Sequence, residues 1–67
     1  MSKAEKLFDK ALREMEYTLE AAARYERGSY ANGLWEGKAA AWQVVAEHLA
    51  DTEQQWERYW AAVEADR

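Results

Sequence analysis

Sixty-seven residues make one domain at most, 1–67, and a chain this short buries too little surface to be robust alone. The absence of Cys excludes disulfide staples, and a single His is too few for a structural zinc site, which leaves a partner chain as the remaining source of stability. A formal net charge of -4 disfavours nucleic acid as a ligand, while four Trp, four Tyr and one Phe in a 49% hydrophobic chain set it apart from disordered sequences.

At the N-terminus, Ser2 and Glu5 have the spacing of a capping box. A helix is expected over 3–27, with an apolar stripe of Ala4, Phe8, Leu12, Met15, Leu19 and Ala22 at steps of three and four. Basic residues open the chain, but no apolar stretch follows them and no run approaches the ~20 residues of a membrane span. A cytoplasmic protein without a membrane segment is the expectation.

Gly28, Asn32 and Gly33 predict a turn over 28–33, where Gly28 can take a left-handed conformation and Ser29 or Asn32 can cap the next helix. The stretch 25–38 loosely resembles turns in small helical proteins of bacteria and their phages, and no residue role is carried over from it.

A second, longer helix is expected over 34–65. Trp42, Val45, Leu49, Thr52, Trp56, Tyr59 and Val63 follow one another on one stripe, without a change of phase. The resulting fold class is all-α: an antiparallel two-helix hairpin that dimerises into a four-helix bundle, because one hairpin offers no second layer to cover so much aromatic surface. The alternative is a three-helix bundle broken near Asp51-Thr52, where Thr52 and Gln55 match a capping box.

No catalytic residue, cofactor or metal ligand is expected. His48 stands without a triad or ligand set, and reads as a boundary residue paired with Asp51. The Glu-x-x-His pattern of di-iron bundles fails because Val45 stands three residues before His48. Gly33, Gly37 and Lys38 do not have P-loop spacing.

The aromatic set is the informative feature. Trp35, Trp42, Val45, Leu49, Trp56, Tyr59, Trp60 and Val63 are the expected partner-binding residues, since Trp and Tyr are favoured at the centres of protein contacts. The expected function is a non-enzymatic interaction module that forms a homodimer or docks on a host protein. The alternative is an acidic inhibitor, of the kind a phage encodes, seated in a basic groove of a nucleic-acid-handling protein. Residues 34–67 carry seven acids against three bases, with Glu53, Glu57 and Glu64 as the acidic face.

Overall fold

A computed structural model describes residues 2–65. Three α-helices follow one another: α1 (Lys3–Ala23), α2 (Tyr30–Leu49) and α3 (Glu53–Glu64), with no strand among the described residues. The chain is therefore all-α, but the expected single helix over 34–65 is two helices.

Helix α1 starts where its cap lies. The Glu5 amide donates to Ser2 Oγ at 3.2 Å, and the Ser2 hydroxyl in turn donates to Glu5 Oε1. Its buried face is Phe8, Ala11, Leu12, Met15, Thr18, Ala21 and Ala22. Thr18 satisfies its hydroxyl on the Glu14 and Met15 carbonyls, so it enters the core without an unpaired polar atom.

The helix ends at Ala23, four residues before the expected Arg27. Tight three-residue turns close it, with the amides of Arg24 and Tyr25 donating to the carbonyls of Ala21 and Ala22. Gly28 does take a positive φ of 85°, yet it serves the loop, not the helix end. Helix α2 then begins at Tyr30, four residues before the expected Leu34, because Ser29 caps it by accepting from the Asn32 amide. Gly33 and Gly37 thus lie inside the helix, each costing ~1 kcal/mol relative to Ala.

Moving the turn towards the N-terminus shifts the α1–α2 register by about two helical turns from the hairpin expected. Tyr17 now meets Trp35, with ring centroids 6.0 Å apart, and Asn32 bonds Ala22. At the other end of the pair, Leu49 lines the same depression as Ser2 and Ala4, so the two helices run antiparallel.

The break after α2 corrects the reading of one continuous stripe. Ala50 (ψ 119°) and Thr52 (ψ 157°) are extended, and the chain reverses between them. The capping box supplies the reason. Thr52 Oγ1 accepts from the Gln55 amide, while Gln55 Oε1 accepts from the amides of Asp51 and Thr52. Periodicity could not reveal this, because both halves of the stripe stay apolar in phase and face the same core from different directions.

Helix α3 folds back alongside α1. Arg58 reaches Asp9 at 2.8 Å, and Gln43 Nε2–H donates to the Tyr59 hydroxyl at 3.3 Å. One core results: Phe8, Ala11, Leu12, Met15, Ala46, Tyr59 and Ala62, with Leu19, Trp42, Leu49, Ala50, Trp56 and Val63 packed around it. The second layer that a bare hairpin lacks is supplied by the chain itself.

Candidate interaction surface

Helix α2 is short of charge. Across Tyr30–Leu49 its only formally charged side chains are Glu36, Lys38 and Glu47. At about 100° per residue, Trp35, Ala39, Trp42 and Ala46 turn towards α1 and the core. The opposite side presents Tyr30, Gly33, Leu34, Gly37, Ala40, Ala41, Val44, Val45 and His48, all of them exposed. Leu34 is 47% exposed, Val44 51% and Val45 40%. No carboxylate, ammonium or guanidinium interrupts this strip over some five turns.

The edges of the strip are charged, with opposite signs. Lys38 lies on the side of α1, where its ammonium sits 4.4 Å from the Trp35 ring centroid and Trp35 in turn meets Tyr17. Glu36 and Glu47 lie on the side of α3, the side marked by the Gln43–Tyr59 bond. All three are exposed, and neither Glu has an ion-pair partner among the described residues.

Helix α3 carries an exposed aromatic of its own. Arg58, Ala61, Ala62 and Ala65 line a groove shared with α1, while Trp56, Trp60 and Val63 lie on the opposite flank of the helix. Tyr59 packs edge-on between Trp56 and Trp60. Trp60 is the outermost of the three, 52% exposed, whereas Tyr59 reaches Gln43 of α2.

The expected partner-binding residues therefore divide. Tyr59 is buried; Trp35, Trp42, Leu49, Trp56 and Val63 are half-buried, five of these six serving the intramolecular core; Val45 and Trp60 are exposed. Tyr30, Leu34 and Val44 belong to the surface but fall off the stripe read from the sequence. The signal that marks them is the scarcity of charge along α2, which a search for one apolar stripe passes over. Glu53, Glu57 and Glu64 are exposed and share the outer side of α3.

His48 Nδ1 lies 2.9 Å from the Val44 carbonyl, and its Nδ1–H tautomer donates there, so its partner is the backbone of its own helix instead of the expected Asp51. Among the described residues no group of three or more His, Cys, Asp or Glu is placed to hold a metal ion, and no helix is long and apolar enough to cross a membrane. No protein-family model, curated protein or solved structure matches the chain.

Proposed function

We propose that this chain is a small helical interaction module, binding another polypeptide through the outer face of α2, with the exposed Trp60 of α3 as a further contact. One observation carries the reading: nine outward positions of α2 bear no formal charge and line up over most of its length. A face of this kind matches the apolar centre of a protein contact with charges at its rim. Catalysis has no comparable support, since the titratable groups lie dispersed over exposed helix faces.

The test is affinity capture with the intact chain against the Val44→Asp and Trp60→Ala variants. Both positions are half exposed, so both variants keep the core. Each is expected to weaken binding by at least tenfold, in line with the loss of an apolar anchor from the centre of a contact. Equal recovery by all three forms would remove the docking role.

A second reading rests on a different feature. Glu53, Glu57 and Glu64 form an acidic row along the outer side of α3, with Trp60 at its border. That row suits the basic groove of a nucleic-acid-handling protein, as an inhibitor would. Replacing the three Glu with Gln, and raising the salt concentration, would then abolish binding. Under the first reading both changes have little effect.

A further inference from the structure

We infer that the occupant of the α2 face is a second copy of this chain, packed α2 against α2 in parallel; the inference rests on the docking reading above and names its partner. The edges of the face decide this. One edge carries Lys38 and the other Glu36 and Glu47. A two-fold axis along the helix direction lays the Lys38 edge of each copy against the acidic edge of its partner, with Lys38 close in height to Glu36 of the other copy. A two-fold axis across the helices would instead set the acidic edges against each other and Lys38 beside Lys38. Self-complementary charge thus exists in one of the two orientations.

The glycines fit the same geometry. A Cβ built at Gly33 or Gly37 meets nothing within 4 Å, so no contact inside this chain requires glycine there. Both lie on the outward strip of an otherwise regular helix. Close approach of a second backbone is a use for them, bringing the axes to the short end of the ordinary 8–10 Å helix spacing. Leu34, Ala41, Val44 and Val45 then pack around the crossing, and the two faces are identical, as an isologous contact demands.

The experiment is sedimentation velocity on the intact chain across the micromolar range, with four kinds of variant. The wild type is expected at twice the chain mass. Gly37→Leu is expected to be monomeric with unchanged helical circular dichroism, because the substitution meets no atom within the chain. Lys38→Glu is expected to weaken association at least tenfold, and the reciprocal Glu36→Lys and Glu47→Lys changes added to it are expected to restore the dimer. Loss of the Lys38–Trp35 contact alone would not be rescued in that way. The chain has no Cys, so single Gly37→Cys and Val44→Cys variants report orientation. Parallel packing brings each position to its own copy, and both variants are expected to form disulfide-linked dimers.

Wild-type monomer at every concentration, a dimer that survives Gly37→Leu, or cross-linking at one of the two Cys levels alone would each overturn the inference. A monomeric chain that still loses a captured partner on Val44→Asp removes the second copy and leaves the docking face in place. A monomer whose capture is indifferent to Val44 removes both.

Discussion

Asn32 holds the interhelical loop from inside the first turn of α2. Its Nδ2–H donates to the Ala22 carbonyl at 2.8 Å, and its Oδ1 accepts from the Gly28 amide at 3.3 Å. The side chain is 6% exposed, so neither partner finds water easily if it is lost. Asn32→Ala is expected to destabilise the fold by about 1–3 kcal/mol, the cost of leaving buried groups unpaired, read from urea unfolding. Asn32→Asp keeps an acceptor for Gly28 but cannot donate to Ala22 in its ionised form, and is expected to be at least as damaging. The sequence offers Ser29 and Asn32 as caps for α2, and Ser29 takes that role. The contact with Ala22 spans ten residues, beyond the local spacing that capping rules describe.

At the scale of the helices, the reversal at Ala50–Thr52 depends on one capping box. Helix α3 has twelve residues, short enough to be marginal without its cap and its packing. Thr52→Ala removes the acceptor for the Gln55 amide and is expected to cost about 0.5–2 kcal/mol. Hydrogen exchange of the Gln55 amide should accelerate, and Tyr59 should become more accessible, because the same helix holds it in the core. An unchanged exchange rate would mean that packing alone starts the helix at Glu53. The spacing Thr52-x-x-Gln55 is legible in the chain, but the unbroken apolar phase of Trp42 to Val63 satisfies one long helix or two folded ones equally. The α1–α2 turn differs for another reason: Gly28, Asn32 and Gly33 together signal a turn over 28–33, whereas an outward glycine such as Gly33 costs a helix little enough to be carried within it. The first turn of α2, and with it the start of the outward strip, lies inside that signal.

The whole molecule is a pair of antiparallel helices with a third helix over part of one side. Twelve residues of α3 extend about 18 Å, against about 31 Å for α1. Helix α3 covers the half of α1 that contains Phe8, Leu12 and Met15, leaving Tyr17 and Trp35 to cover each other near the loop. The division says which part of the molecule makes the fold self-sufficient. Burial of Phe8 and Tyr59 contributes about 1.5–3 kcal/mol each, a large share of the stability of so small a domain. A chain ending at Ala50 is therefore expected to lose cooperative unfolding and to bind a hydrophobic dye, as Phe8 and Leu12 open to water. Adding residues 51–67 as a separate peptide in excess should restore a sigmoidal melt, with an apparent Tm that rises with peptide concentration. Should the shortened chain melt cooperatively alone, with a midpoint that climbs with its own concentration, a second copy would be covering the core in place of α3. The two surfaces compete in this test. The core side of the α1–α2 pair is closed by α3 and the outer side of α2 is left open, so an intact chain that associates should do so without disturbing the protection of Tyr59.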